Sequence, residues 1–115
     1  MKLKEAIRKA NAIRPNTIEE ELKVKWIAEL ECEYAEIMRV PLPDDGWAES
    51  DPTLLMPYPK DETYILYLMA KIDFAHEEME LYANDSVVAN ERITEAKAWW
   101  VRNNPAPPAK RLRWW

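Results

Sequence analysis

Residues 61–82, DETYILYLMAKIDFAHEEMELY, constrain what this chain can fold into more than any other stretch. Their apolar residues recur at helical spacing and form one continuous stripe: Tyr64, Tyr67, Leu68, Ile72, Ala75, Met79 and Tyr82. Because Ile65, Leu66 and Met69 widen this stripe, the first half of the segment is apolar nearly all round. The pattern predicts a central helix that begins at Asp61, with Tyr67, Leu68 and Ile72 almost fully buried. Its second half returns to a solvated acidic face: Asp73, Glu77, Glu78 and Glu80.

Composition limits the fold class further. A chain of 115 residues forms one domain, and its single glycine argues against tight hairpins, a P-loop and a Rossmann turn. One cysteine, Cys32, excludes an internal disulfide, and we interpret it as a reduced, inert thiol. No apolar run reaches the ~18 residues of a membrane span, and no signal peptide opens the chain. We therefore expect a soluble protein of the cytoplasm.

Three further helices are predicted around the central one. The first spans residues 2–13, and the second runs from a capping box at Thr17 and Glu20 to about Arg39. The buried side of the second helix should consist of Ile18, Leu22, Trp26 or its neighbour Ile27, Leu30, Tyr34 and Ile37. A turn at residues 84–86 should start a last helix that ends near Arg102. Its larger apolar residues can reach the core or an interface: Val88, Ile93, Ala96, Trp99 and Trp100. The predicted fold is an all-α bundle of about four helices.

Residues 40–60 form a long connection that contains five prolines, the only glycine and four acids. We expect Leu54, Leu55 and Tyr58 to pack on the helices. The acids should project outward as a surface that faces a channel or a partner: Asp44, Asp45, Glu49 and Asp51.

The chain divides into a helical domain, residues 1–104, and an extended, proline-rich tail, residues 105–115. Basic and aromatic side chains make the tail a candidate partner-docking segment: Lys110, Arg111, Arg113, Trp114 and Trp115. Two alternatives stay open. The tail could fold back on its own bundle and stack on Trp47, or it could be a disordered end.

Charge and side-chain chemistry favour a non-enzymatic protein. The net charge is −5, and residues 102–115 carry +4 with no acid, so the first 101 residues carry −9. Such an acidic body binds nucleic acid poorly. Two predicted helix faces carry groups that could bind a metal: Asp73, His76, Glu77 and Glu80 on one, and Glu29, Glu33 and Glu36 on the other. A di-iron helical bundle needs a histidine from each of two helices, and this chain has one histidine. We therefore expect no metal and no cofactor. Cys32 and His76 are the only nucleophile–base pair, without an orienting residue, so we expect no enzyme.

The order of several short motifs resembles small head–tail connector (adaptor) proteins from tailed phages and prophages of Gram-positive bacteria. The motifs are R-P-N-T-x-x-E-E-x-K-x-K-W-I-A-E-L-E at residues 14–31, L-L-M-P-Y-P-K-D-E-T-Y at 54–64, Y-L-M-A-K-I-D-F-A-x-x-E at 67–78, L-Y-A-N at 81–84 and W-W-V-R at 99–102. The resemblance covers roughly residues 3–103. It departs from the family at His76-Glu77, where a glycine often precedes the acid, and near Asn84, where a second asparagine is common.

The resemblance implies a structural virion protein that is not an enzyme. Such proteins form small helical bundles that assemble as a homo-oligomeric ring beneath the portal protein and above a stopper or tail protein. The ring extends the channel through which double-stranded DNA passes, without sequence-specific binding and without a membrane. The expected location is then the virion, and the host bacterial cytoplasm during assembly. The alternative is a stand-alone cytoplasmic interaction or regulatory module, such as an antitoxin-like protein.

Overall fold

The computed structural model describes residues 1–105, so most of the predicted tail lies outside the described residues. Five helices follow in order: α1 (Leu3–Ile13), α2 (Glu20–Met38), the single turn α3 (Trp47–Ser50), α4 (Glu62–Ala75) and α5 (Met79–Asn103). In this part of the chain, extended pairing is limited to one isolated bridge between Lys2 and Thr53. The all-α fold class is confirmed.

Helix α4 lies at the centre of the core, as its apolar first half predicts. Tyr64, Leu68 and Ile72 of α4 are fully buried. Other large buried residues come from α1, α2, residues 47–56 and α5: Leu3, Ile7, Ile27, Leu30, Tyr34, Trp47, Leu54, Met56 and Ile93. Tyr67 is only half-buried, which corrects its predicted full burial. α4 packs on α1 and α2, and most extensively on α5.

The predicted central helix is wrong in its second half, because α4 ends at Ala75 and the chain reverses. Glu77 adopts a left-handed conformation, with φ +59°. The Glu78 N–H donates to the Asp73 carbonyl and the Glu77 N–H to the Phe74 carbonyl, both at 3.0 Å. These two bonds define a Schellman motif, in which the left-handed position is usually glycine. Apolar spacing alone gives no sign of this end, since the stripe continues to Tyr82.

The last helix therefore begins earlier than predicted. α5 starts at Met79 and continues through residues 84–86, so the predicted turn is wrong. Ser86 turns its hydroxyl to the Ala83 carbonyl inside the helix, at 3.3 Å, instead of capping a new one. Packing of Ala89, Ile93 and Ala96 overrides the weak helix propensity of the Asn-Asp-Ser run. Ile93 and Ala96 face the core and Val88 is exposed, while the predicted helix end near Arg102 is confirmed.

The start of α2 also differs from the prediction. Residues 15–19 are non-helical, and the helix begins at Glu20 without a side-chain cap. Asn16, not Thr17, organises this turn: its amide donates to the Arg14 carbonyl and its side-chain oxygen accepts from the Ile18 N–H. Of the predicted inward residues of α2, Leu22 is exposed, Ile27 is buried in preference to Trp26, and Leu30 and Tyr34 are buried as predicted.

Candidate interaction surfaces

A buried polar network fixes the connection between α2 and α4 to the bundle. Glu31 on α2 is 2% exposed, and it accepts hydrogen bonds from the Tyr64 hydroxyl and from the Leu55 N–H, the latter at 2.9 Å. The Tyr64 hydroxyl accepts in turn from the Met56 N–H at 2.8 Å. Burial raises the pKa of Glu31, while the two hydrogen bonds to its carboxylate act in the opposite direction. The network thus satisfies two backbone donors of the connection, the Leu55 and Met56 N–H groups.

A second contact reinforces the same region. The Tyr34 hydroxyl donates to Thr63 Oγ1 at 2.7 Å, and the Tyr34 and Tyr64 rings meet edge to face with centroids 5.6 Å apart. Burial raises the pKa of Tyr34 to about 12, so its hydroxyl stays protonated as the donor. Glu31 is not among the residues that the sequence predicted to be functional or buried. Glu31 lies four residues after Ile27 and three before Tyr34, so helical spacing places it on the buried side of α2, and its burial could have been predicted from that spacing.

An ion-pair cluster ties the first loop to the α4–α5 pair. Arg14 donates from Nε to Asp73 Oδ1 at 3.1 Å and from Nη2 to Asp85 Oδ2 at 2.8 Å. Asp73 was predicted to be solvated, but its side chain is 2% exposed and its Oδ2 has no hydrogen-bond partner. Burial, followed by the neighbouring Asp85, raises the pKa of Asp73 to about 6. The cluster is structural, since Arg14 neutralises carboxylates of two helices at once.

The acidic connection is exposed in part. Asp44, Asp45 and Glu49 lie open to solvent around α3, consistent with an outward-facing surface. Asp51 does not belong to that surface, because it is half-buried and its Oδ1 accepts the Lys4 N–H at 2.9 Å at the start of α1. Of the predicted apolar contacts of this segment, Leu54 is buried and Leu55 half-buried.

Tyr58 is exposed, contrary to the prediction, whereas Trp47 is buried. Tyr58 was expected to pack on the helices, yet it is 83% exposed, because the chain between two prolines turns it away from the bundle. Trp47 is 8% exposed and its indole N–H donates to the Pro43 carbonyl at 3.1 Å, so it anchors α3 and its ring is covered. The predicted docking residues Lys110, Arg111, Arg113, Trp114 and Trp115 lie outside the described residues.

An aromatic groove, which the sequence analysis did not anticipate, runs between α4 and α5. We use the name groove for the space of about 300 Å³ lined chiefly by three aromatic and three small residues: Tyr67, Phe74, Tyr82, Ala70, Ser86 and Ala89. Phe74 and Tyr82 have ring centroids 5.1 Å apart, and Phe74 is 57% exposed. Lys71 places its ammonium 5.3 Å from the Tyr67 ring centroid at the other end. The groove exists because the chain reverses at residues 76–78.

The polar residues that share a predicted face of the central helix, Asp73, His76, Glu77 and Glu80, are divided between two helices and the turn that joins them. The break after Ala75 separates His76 and Glu77 from Glu80, so the four residues no longer share one helix face. Across residues 1–105, no group of three or more histidine, cysteine and acidic side chains is arranged to hold a metal ion. Cys32 is an exposed free thiol on α2.

Comparisons with models of protein families, with curated proteins and with solved structures give no match. In the part of the chain that the structure describes, none of the helices combines the length and the apolar character needed to cross a membrane. The interpretation of function therefore depends on the residues themselves.

Proposed function

We propose that this chain is a subunit of a phage head–tail connector, a structural virion protein that assembles as a homo-oligomeric ring on the portal and extends the DNA channel. The observation that carries the proposal is that residues of three resembling motifs meet in the folded chain, as Arg14 does with Asp73 and Glu31 with Tyr64. The chain departs from the family at the reversal: the family often has a glycine before the acid, whereas His76 takes that place here with φ −87°, and the left-handed residue is Glu77. The proposed role is assembly, with no catalytic step.

The positions of the resembling motifs also support the proposal. The first motif supplies Glu31, and the second supplies Leu55, Met56 and Tyr64, which together form the buried network. Arg14, at the start of the first motif, pairs with Asp73 of the third. The motifs thus specify one three-dimensional arrangement, and the resemblance concerns residues that determine the fold. The exposed acids around α3 are a surface that is open for assembly.

For the acidic surface we propose a position that faces the channel or a partner protein. Asp44, Asp45 and Glu49 are exposed and take part in none of the ion pairs formed within residues 1–105. Like charge on a channel wall allows a DNA duplex to slide past, because phosphates gain no neutralising partner. The isolated protein should accordingly bind DNA weakly and without sequence preference at ~150 mM salt.

The direct test is co-expression with the portal protein encoded in the same genome. We expect the two proteins to co-purify, and electron microscopy to show a ring of additional density beneath the portal. A phage or prophage without this gene should accumulate DNA-filled heads without tails. Failure to associate with the portal, together with normal phage yield from the deletion, would refute the proposal. A neighbouring toxin gene and a tight binary complex with its product would instead favour an antitoxin-like module.

The acidic surface has its own test. Reversing Asp44, Asp45 and Glu49 to lysine should leave the fold intact but reduce phage yield or portal binding. The matched control reverses three other exposed acids on helices α2 and α5, namely Glu29, Glu36 and Glu91. Equal phage yields from both triple variants would show that the acidic surface has no role in assembly. The connector proposal would then depend on the portal experiment alone.

A further inference from the structure

The groove between α4 and α5 is not covered by any other described part of the chain. At its open end, Phe74 is 57% and Met79 50% exposed, although both are large apolar side chains. Together with Ala75 and Glu77 they line a second, shallower depression that continues the groove around the turn. Contiguous aromatic and apolar surface of this kind marks a binding site for an apolar segment.

Charge at the open end selects the kind of segment that fits. Glu77, Glu78 and Glu80 are exposed within four consecutive residues, and none of them takes part in an ion pair within residues 1–105. Lys71, the cation that lines the groove, is placed over the Tyr67 ring at the other end. An occupant that combines aromatic side chains with basic ones therefore has complementary partners at the open end.

This chain carries such a segment beyond the described residues. Residues 110–115 read KRLRWW, with three basic side chains and two tryptophans and no acid. α5 ends where the Asn103 and Asn104 amides donate to the Trp99 and Trp100 carbonyls, at 2.8 and 3.1 Å, and Pro105 follows. Trp47, the other aromatic side chain considered as a docking partner for the tail, is buried and its indole N–H is already bonded.

The length of the segment matches the position of the groove. From Asn103 back to Tyr82 is 21 residues of helix, or about 32 Å at 1.5 Å per residue. From Asn103 forward to Trp114 is 11 residues, or about 34 Å in a proline-rich extended chain at 3.1 Å per residue. A nearly fully extended tail that turned back along α5 would therefore bring its tryptophans to the part of the groove between Ser86 and Tyr82, near Phe74 and the three glutamates.

We propose that the groove is the docking site of this chain's own C-terminal residues 110–115, with Trp114 and Trp115 against Phe74 and Tyr82 and the basic side chains facing Glu77, Glu78 and Glu80. The own chain is the occupant because attachment gives the segment a local concentration in the millimolar range, well above that of a second copy in dilute solution. The inference does not depend on the connector proposal.

The test uses the full-length chain with Cys32→Ser and a cysteine added after Trp115 to carry a nitroxide. We expect the nitroxide to broaden the amide signals of Phe74, Tyr82 and Ser86 in the NMR spectrum. A mixture of isotope-labelled chains without nitroxide and unlabelled chains with it should show no broadening. Broadening restricted to residues 99–105 would overturn the docking site. Broadening that appears in the mixture would overturn the assignment to the own chain and identify a second copy as the donor of the segment.

Two variants distinguish docking of the tail in the groove from nonspecific contact of the tail with the protein surface. Phe74→Ser should reduce the ratio of docked to free tail by about fivefold, because an aromatic pair contributes roughly 1 kcal/mol. Val87→Ser is the matched control, since Val87 is an equally exposed apolar residue of α5 that does not line the groove. Raising the salt concentration to 0.5 M should also release the segment in part, because the acidic end is exposed. Equal broadening in both variants would refute the proposed contact.

Discussion

Removing the Tyr64 hydroxyl should destabilise the fold far more than the loss of one oxygen atom suggests. Tyr64→Phe keeps the ring, its edge-to-face contact with Tyr34 and the packing of α4. It leaves the Met56 N–H without its acceptor and removes one of the two donors to the Glu31 carboxylate, and Glu31 and Tyr64 are almost inaccessible to water. The variant therefore isolates the polar network from the packing of the ring.

The size of the stability loss follows from the two groups that lose a hydrogen-bond partner, the Met56 N–H and the Glu31 carboxylate. An unpaired buried N–H costs roughly 1–3 kcal/mol, and a lost hydrogen bond to a charged group about 1.5–3 kcal/mol. Since Glu31 can relieve part of this cost by binding a proton, we expect a loss of about 3–4 kcal/mol in the free energy of unfolding at pH 8. For a domain of this size each kcal/mol corresponds to about 4–8 °C in Tm. The midpoint should fall by roughly 12 °C or more.

The pH dependence distinguishes this explanation from a packing defect. Burial raises the folded-state pKa of Glu31 above its unfolded value, so stability is greatest below the unfolded pKa and declines as pH rises through the folded pKa. Tyr64→Phe removes a bond that favours the ionised carboxylate, so it should raise this pKa further. The loss in free energy of unfolding that Tyr64→Phe causes should therefore be larger at pH 8 than at pH 4.5.

Urea denaturation followed by circular dichroism at both pH values measures the effect. Tyr58→Phe is the matched control, since Tyr58 is 83% exposed, and its change should stay within about 0.5 kcal/mol. Combining Tyr64→Phe with Glu31→Gln gives the coupling between the two side chains. A Tyr64→Phe variant within 1 kcal/mol of the parent at both pH values would refute the network as the support of residues 54–64.

Three other changes test the core, the turn and the ion-pair cluster. Ile72→Ala should cost about 2–5 kcal/mol in urea denaturation, because Ile72 is fully buried on α4. Glu77→Gly should raise Tm through a gain of roughly 0.5–1 kcal/mol by removing a left-handed non-glycine residue, while Glu78→Gly at φ −84° should lower it. The raised pKa of Asp73 means that stability falls as pH increases from 3.8 towards about 6, by about 1–3 kcal/mol, and Asp73→Asn should remove that decline. An unchanged decline in this variant would assign the titration to another group.

The sequence predicted the helical class and most of the core because both depend on local apolar spacing. Ile27, Leu30, Tyr34, Leu68 and Ile72 lie at positions that a 3.6-residue period places on one side, and burial follows directly from that period. The helix end at Ala75 could not be predicted in the same way. It depends on Glu77 accepting a conformation that its residue type disfavours, and this is decided by the packing of α5 on α4.

The burial of Asp73 and the partial burial of Asp51 could not be predicted from local spacing either. Asp73 was assigned to a solvated face because acids on an amphipathic helix usually are solvated. Its burial depends on Arg14 and Asp85, which lie 59 and 12 residues away in the sequence, and no local pattern connects the three. The exposure of Asp44, Asp45 and Glu49 was predicted correctly, but Asp51 is half-buried because it accepts the Lys4 N–H at the start of α1.

The reversal at residues 76–78 produces both the groove and the ion-pair cluster. In a continuous helix Phe74 and Tyr82 would be eight residues, or about 12 Å, apart along the axis, whereas their ring centroids are 5.1 Å apart. Asp73 and Asp85 would be separated by about 18 Å along such an axis, yet both bond to the same Arg14 guanidinium. Arg14 therefore holds the α4–α5 pair closed from the side of α1, and the same closure aligns the aromatic residues of the groove. A change that opens this pair should disturb the groove even where it leaves every groove residue in place.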